Sequence, residues 1–177
     1  MVKKLAVFFA YVLFFILALM YFTPKISAYY FLEQQAKPFG LLISKEKLSD
    51  TGFSLNIEDA SVSFKSIESA NIKNTNIKVF GIYNSVSLEN IALSSAAASF
   101  VPLNVDVANI SYTVFSPLSV NAYINGEFGE AQAIYDIVQN AIHIELIPSK
   151  KMLKKYRSTL TNLKKQKSGE YIYDQAF

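Results

Sequence analysis

The strongest constraint on this chain is an uninterrupted apolar run near its N-terminus. Residues Leu5 to Phe22 read LAVFFAYVLFFILALMYF, eighteen positions without a charge, Pro, Gly, Asn or Gln. A helix over this run is about 27 Å long at 1.5 Å per residue, close to the roughly 30 Å hydrocarbon core of a bilayer. The run therefore predicts a transmembrane helix, which we place at residues 5–23.

The flanks of this run favour a retained anchor over a cleaved secretory signal. A signal peptide has a shorter apolar core followed by small residues, whereas the nearest candidate site, Ile26-Ser27-Ala28, has a bulky Ile. Lys3 and Lys4 keep a short overhang, residues 1–4, in the cytoplasm by the positive-inside rule. We therefore expect a single-pass protein of a bacterial inner membrane whose C-terminal domain is periplasmic.

The segment after the anchor is predicted to stay close to the membrane. Residues 24–51 are interpreted as a membrane-proximal linker with a short helix, followed by a loop at Pro38-Phe39-Gly40. Aromatic side chains settle at the interface between lipid and water. We expect five of them at the outer interface: Tyr21, Phe22, Tyr29, Tyr30 and Phe31.

Residues 52–148 alternate between apolar and polar side chains, which is typical of half-buried strands. Phe53, Leu55 and Ile57 alternate with polar residues, as do Val105 and Val107 further along. Separators rich in Asn, Ser and Gly punctuate about nine such segments. The pattern predicts a mainly β fold: a transmembrane helix followed by a curved antiparallel sheet, a half-barrel or sandwich, with one C-terminal amphipathic helix.

The apolar side of these strands has two interpretations. No long amphipathic helix is predicted between Gly52 and Pro148, so we expect the sheet to fold on itself. In a sandwich the apolar side is an ordinary core, whereas in an open groove it is a seat for lipid or an apolar partner strand. The candidate groove residues are Phe64, Leu93 and Ile124.

Four segments of the β region share a loose pattern of apolar and small polar residues. They begin Ile57-Glu-Asp-Ala, Ile67-Glu-Ser-Ala, Leu88-Glu-Asn-Ile and Val107-Ala-Asn-Ile. The pattern suggests repeated β units, although its spacing is irregular and strand–turn alternation alone would generate some of it.

The C-terminal region separates the charges of the chain. Residues 23–148 contain seven lysines and twelve acidic residues, whereas residues 149–167 contain eight basic residues and no acid. Leu153, Tyr156, Leu160 and Leu163 recur at helical spacing, which predicts an amphipathic helix over residues 150–165 with Ser149 as its N-cap. A closing strand after Gly169 completes the region 149–177.

The basic side of this helix is a candidate binding surface. It could attach to anionic lipid or to an acidic partner, or it could be the solvated side of a helix packed on the sheet. Its residues are Lys150, Lys151, Lys154, Lys155, Arg157, Lys164 and Lys165. We do not expect nucleic-acid binding, because the acidic sheet beside the helix would repel phosphate.

The residues that usually carry chemistry are scarce. The chain has no Cys and one His, which excludes disulfides, thiolate nucleophiles and multi-histidine metal centres. His143 shares the polar side of its strand with Glu145, so we interpret it as a surface residue. We therefore expect no catalytic, cofactor-binding or metal site, and a protein that is not an enzyme.

The order of these parts resembles a known family. After the anchor and strands come a hairpin, Asn125-Gly126-Glu127-Phe128-Gly129, the strand end Glu145-Leu146-Ile147-Pro148, the basic helix, and Ser168-Gly169-Glu170-Tyr171. This arrangement is similar to the type II secretion system protein N family, whose β-rich periplasmic part is in turn similar to AsmA-like lipid-associated domains. The resemblance implies a non-enzymatic inner-membrane component of a type II secretion or related type IV pilus-like machine, acting by binding secretion or pilus assembly proteins.

Two other functions remain open. The size and topology also match a lipid or lipopolysaccharide carrier, or bridge protein, with an apolar β groove. A membrane-anchored enzyme is the third alternative, and the scarcity of chemical side chains disfavours it.

Overall fold

The computed structural model describes residues 2–177, the side chain of Val2 excepted. The chain begins with two helices, α1 (Val2–Phe22) and α2 (Lys25–Ala36), separated by Pro24. A 3-10 turn, Lys37–Phe39, follows α2 and ends at Gly40, whose positive φ of 82° suits glycine. The segment Lys3–Phe22 of α1 is long and apolar enough to cross a membrane.

The rest of the chain is one antiparallel sheet. Its strands are β1 (Leu41–Ser44), β2 (Lys47–Asp50), β3 (Ser54–Phe64), β4 (Ile67–Val79), β5 (Tyr83–Leu93), β6 (Asn104–Thr113), β7 (Ser119–Gly126), β8 (Gly129–Asp136), β9 (Ala141–Pro148), β10 (Lys164–Lys165) and β11 (Tyr171–Ala176). The spatial order is β1-β3-β4-β5-β6-β7-β8-β9-β11-β10, and β2 pairs with β3 beside β1.

This architecture confirms the predicted mainly β, antiparallel fold. It is a single open sheet of eleven strands. Seven of them, β3 to β9, lie in residues 52–148, where about nine were expected, and the predicted linker 24–51 also contains β1 and β2. These two short strands pair with successive halves of β3. The predicted short helix, the loop at Pro38-Phe39-Gly40 and the closing strand β11 are present.

Register separates the two faces of the sheet. One row of directly paired residues crosses seven strands on the side that we call the apolar face: Ile57, Thr75, Leu88, Ala108, Ile124, Ala131 and Leu146. The neighbouring row, on the opposite polar face, is Asn56, Asn76, Ser87, Asn109, Tyr123, Gln132 and Glu145. Because side chains alternate along every strand, this register gives the sheet one apolar side.

A shared irregularity interrupts the alternation in four neighbouring strands. Four residues at the same level of the sheet have no partner in the strand register. They are Asp59, Lys73, Asn90 and Asp106. Asp59 and Asn90 adopt positive φ angles of 56° and 54°, which Asp and Asn tolerate better than most residues. Residues three apart, rather than two, therefore share a face at this level.

This irregularity corrects one strand prediction and explains part of the sequence echo. Val105 and Ala108 are the buried residues of β6, whereas Val107 pairs with Glu89 on the polar face. Val105 and Val107 therefore do not share a face, as alternation alone predicted. The segments beginning at Ile57 and Leu88 resemble each other because both carry the extra residue at this level.

Two separate helical covers shield the apolar face. At one end Tyr29 of α2 packs with Leu55, Ile57 and Ala60 of β3. At the other end Met152 and Leu160 pack with Ala131 and Leu146, from the short helices α3 (Lys150–Lys155) and α4 (Arg157–Leu160). The sheet is therefore covered by helices near its two edges.

The second cover differs from the single helix predicted over residues 150–165. The helical conformation breaks at Tyr156, with φ −121° and ψ 33°, and Lys164 and Lys165 lie in strand β10 instead. Ser149 is the N-cap, as predicted, because its Oγ accepts a hydrogen bond from the Met152 N–H. The break lets Met152, rather than the predicted Leu153, face the sheet.

We expect the α2 cover to depend on Leu55. This residue is 2% exposed, and Leu55→Ala removes buried methyl groups and leaves a cavity, so it should lower the free energy of unfolding by about 2–5 kcal/mol. Urea unfolding of the full chain in detergent micelles measures the loss. The control is Leu42→Ala, at a position that is 50% exposed, with an expected change within about 0.5 kcal/mol. Equal effects of the two variants would contradict the assignment of this core.

Candidate functional site

The end of the apolar helix α1 docks on the sheet through aromatic packing. The Tyr21 ring lies against Gly52, where an added Cβ would come within 2.2 Å of it. Its centroid is 5.4 Å from that of Phe53, in an edge-to-face arrangement that aromatic pairs prefer. Phe53 in turn stacks on Phe80 at 6.3 Å. The last turn of α1 is therefore attached to the turns at one end of β3 and β4.

A buried lysine holds the same junction together. Lys25 is only 6% exposed, and its Nζ donates hydrogen bonds to the carbonyl oxygens of Met20 (3.1 Å) and Thr23 (3.2 Å). The Asp50 Oδ1 atom lies 3.6 Å from the same Nζ. The last carbonyls of a helix lack intrahelical partners and attract cations, so Lys25 caps α1 while pairing with β2. Its charge is buried but compensated.

An apolar cavity of about 370 Å³ lies between the two helices and the sheet. This volume is within the range of about 300–1,000 Å³ that is common for ligand pockets. The cavity is lined by Ile16, Leu19, Met20 and Thr23 from α1 and its end, by Lys25, Ala28, Tyr29 and Leu32 from α2, and by Leu55, Ile77, Val79 and Gly81 from the sheet. One wall therefore belongs to α1 and another to the apolar face of the sheet.

Tyr29 is the unusual member of this lining. It is 8% exposed, and its hydroxyl has no hydrogen-bond partner among the described residues. Burial raises the pKa of this hydroxyl above its usual value, and the nearby carboxylates Glu46 and Glu33 raise it further. A buried hydroxyl normally finds a partner. The Tyr29 hydroxyl is thus an unpaired donor that is buried beside the cavity.

Sequence reasoning placed Tyr29 at the membrane interface, and the structure places it inside instead. Its neighbours Tyr30 and Phe31 are exposed. The available signal was the spacing of Ile26 and Tyr29, three residues apart on α2, because both pack against β3. Which of the adjacent aromatics faces the sheet depends on the rotation of α2, and the Lys25 contacts set that rotation.

The predicted groove residues all lie on the apolar face but in different surroundings. Leu93 is in the row Ile43, Val62, Ala70, Leu93, and Phe64 follows Val62 by two residues on the same face. Phe64 is exposed near the β1 edge, whereas Ile124 packs against the second helical cover. The cavity between α1, α2 and the sheet is lined by other residues.

The predicted basic surface is divided between structural contacts and solvent. Lys151 pairs with Glu127 at 2.5 Å, and Lys164 lies 4.0 Å from Asp174. The Arg157 Nε donates to the Leu153 carbonyl at 3.0 Å, and the Lys165 Nζ lies 5.9 Å from the Tyr171 ring centroid. Three exposed lysines, Lys150, Lys154 and Lys155, form no ion pair within residues 2–177.

The single histidine lies on the polar face, as the sequence indicated. Its Nδ1 is 2.6 Å from Asp174 Oδ1, on the paired strand, and its Nε2 is 3.2 Å from Glu145 Oε1. The hydrogen bond to Asp174, and then that to Glu145, raises the pKa of His143 above 6.5. In residues 2–177 no group of three or more His, Asp or Glu residues is arranged to hold a metal ion.

Comparison of the chain with protein-family models, with curated proteins and with solved structures finds no match.

We expect Gly52→Ala to loosen the attachment of α1 to the sheet. A Cβ there would clash with the Tyr21 ring, and φ is +84°. Gly81→Ala is the matched control, because its φ is +71° but the nearest atom to an added Cβ is Met20 Cε at 4.0 Å. Spin labels on α1 and β4 should show a broader distance distribution for Gly52→Ala than for Gly81→Ala. Identical distributions would show that the Tyr21 contact does not orient the helix.

We expect the pairing of β9 with β11 to weaken as pH rises. The pKa of His143 is raised in the folded state, so its contribution to stability is complete below about pH 6.5 and is lost as pH rises through the raised value. Unfolding of the full chain in detergent micelles, measured from about pH 6 to about pH 8.5, should show a fall that His143→Gln lacks. Parallel pH profiles for the two proteins would exclude this contribution.

Proposed function

We propose that this protein is a single-pass, membrane-anchored, non-enzymatic binding protein, and that it holds the acyl chain of a membrane lipid at the membrane end of its apolar sheet face. The observation that carries the proposal is the cavity of about 370 Å³ whose walls are α1, α2 and the strands β3 and β4. This cavity is the unfilled space between a helix that can span a membrane and the apolar face of the sheet.

Because one wall of the cavity is α1, a ligand would come from the bilayer beside that helix. Ile16 and Leu19 line the cavity and are also exposed on a helix that can cross a bilayer. An acyl chain beside α1 could therefore enter without passing through water. Each methylene that leaves water contributes about 0.8 kcal/mol, but a chain arriving from the bilayer gains little from transfer alone. Selectivity must then come from shape and from the polar groups of the lining.

The rest of the sheet supports a role in lipid handling beyond local binding. The apolar row continues from Ile57 through Leu88 and Ala108 to Leu146, so apolar surface connects the two helical covers. A carrier or bridge for lipid or lipopolysaccharide requires such a path away from the membrane. With Lys3 and Lys4 in the cytoplasm, this path would extend into the periplasm of a bacterial cell.

A second candidate function is assembly with secretion or pilus proteins, as the resemblance to the protein N family implies. Two observations favour it. Residues Tyr173–Ala176 of β11 extend beyond the short strand β10, which leaves part of the sheet edge available for another strand. The second is that the lysines Lys150, Lys154 and Lys155 are exposed and form no ion pair within residues 2–177, so an acidic partner could bind them. Charge reversal of these three lysines should weaken crosslinking to secretion or pilus assembly proteins, and unchanged crosslinking would count against this function.

The lipid proposal is tested by photocrosslinking in native membranes. A photoreactive amino acid in place of Ile77, which lines the cavity, should capture lipid that mass spectrometry detects on the protein. The same substitution at Lys78, the next residue on the opposite face, should capture none, because side chains alternate across the strand. Crosslinkers at Leu93 and Ile124 report whether lipid also travels along the sheet.

Two outcomes would overturn the proposal. Capture of protein alone at Ile77 would mean that the cavity is a docking site for a polypeptide. Equal lipid capture at Ile77 and Lys78 would mean that the crosslinker reports general proximity to the bilayer, with no selective site.

A further inference from the structure

We infer that one end of the sheet rests on the surface of the bilayer that α1 crosses, and that three apolar turns at this end insert into its lipid. The turns join β4 to β5, β6 to β7 and β8 to β9, and comprise residues 80–82, 114–118 and 137–140. We call these three turns together the turn edge. The inference rests on the proposed anchoring by α1, and it is independent of the cavity and its ligand.

The first argument is the place where α1 leaves the sheet. The Tyr21 ring packs on Phe53, just before β3 begins. Met20 lies beside Gly81, in the first of the three turns. Only the last two turns of α1 line the cavity, and residues 3–15 are exposed. A bilayer around α1 therefore lies at the end of the sheet that carries the turn edge.

The second argument is that backbone hydrogen bonds hold neighbouring turns side by side. The Val114 N–H donates to the Ile82 carbonyl at 3.1 Å, and the Ile137 N–H donates to the Leu118 carbonyl at 2.9 Å. The Asp136 carboxylate accepts hydrogen bonds from two backbone N–H groups of the last turn, at 2.9 and 2.8 Å. The three turns therefore form one continuous edge across β4 to β9.

The third argument is the composition of this edge. Phe115 is 86% exposed, and five further apolar side chains of the three turns are also exposed: Ile82, Val114, Leu118, Ile137 and Val138. The turn edge contains no charged residue, whereas the turns at the opposite end of the sheet contain Lys65 and Glu127. An exposed apolar surface of this extent marks a contact with a membrane or a protein.

The position of the turn edge favours lipid as its occupant. Only Thr23 and Pro24 separate α1 from α2, so the chain has no linker that would let the sheet move away from a bilayer around α1. A protein would have to fit between the turns and the lipid. Two carboxylates beside the edge are already engaged, Asp50 with Lys25 and Asp136 with backbone N–H groups. Lipid contact therefore does not require either carboxylate to lose its partner.

Single tryptophans test the inference, because the chain has no Trp of its own. Ile82→Trp, Phe115→Trp and Val138→Trp each place one in a different turn. The full chain is reconstituted in phosphatidylcholine vesicles, with and without bromine on the upper methylenes of the acyl chains, and quenching of tryptophan fluorescence is measured. The control is Phe100→Trp, at a position that is 62% exposed in the loop between β5 and β6, at the opposite end of the sheet.

We expect each of the three turn variants to be quenched at least about twofold more strongly than Phe100→Trp, because apolar side chains at an interface lie roughly 5–10 Å into the boundary between headgroups and acyl chains. All four substituted positions are at least intermediate in exposure and lie outside the two buried clusters, so the variants should fold as the wild type does. Circular dichroism of the reconstituted proteins checks this.

A fifth variant separates failure of the inference from failure of the proposed anchoring. Phe14 is exposed in the middle of the apolar run, so Phe14→Trp should be quenched by bromine near the ends of the acyl chains. Absence of that quenching would overturn the proposed anchoring itself. If Phe14→Trp is quenched while the turn variants are quenched no more than Phe100→Trp, the inference is overturned and the anchoring stands.

Two further outcomes would overturn the inference. Quenching of Ile82→Trp alone would mean that only the turn beside α1 is near lipid and that the rest of the edge stands in water. Shielding of Phe115→Trp and Val138→Trp from an aqueous quencher in native membranes, but not in the lipid vesicles, would mean that a protein covers the edge.

Discussion

The structure depends on one constraint, which is that an open antiparallel sheet with a single apolar face must cover that face. Rows of residues in register, such as Ile57 to Leu146, place the apolar side chains of seven strands on the same side. The sheet does not close into a barrel or stack on a second sheet, so helices must shield it. They do so separately at the two ends, with Tyr29 in one cover and Met152 and Leu160 in the other.

The cover formed by α2 also joins α1 to the sheet. Lys25 ties the end of α1 to β2, while Tyr21 rests on Gly52 and Phe53. These contacts hold α1 against the sheet without filling the space behind them, and the cavity results. A stable junction and an apolar site therefore have the same physical origin. This shared origin is the reason for proposing a binding function at this end of the molecule.

More of the fold than of the candidate site could be predicted from the sequence. Alternation over Phe53, Leu55 and Ile57 identified strands, and the run from Leu5 identified a helix long and apolar enough to cross a membrane. The prediction was wrong where backbone geometry intervened: the extra residue at Asp106 moved Val107 to the polar face, and the break at Tyr156 turned Met152 inward. The location of Tyr29 was predicted wrongly because five aromatic residues lie close together in this part of the sequence. Only packing decides which of them is buried.

The sequence by itself determined the apolar N-terminal helix, the antiparallel strands and the separation of the acidic sheet from the basic C-terminal region. These properties are local, since length, period and charge can be read from neighbouring residues. Only the tertiary structure decided that the sheet stays open, that Lys25 is buried beside Asp50, and that Tyr29 faces a cavity between α1 and the sheet. Those features join residues from distant segments, and their positions follow from register and packing, which no single stretch of sequence encodes.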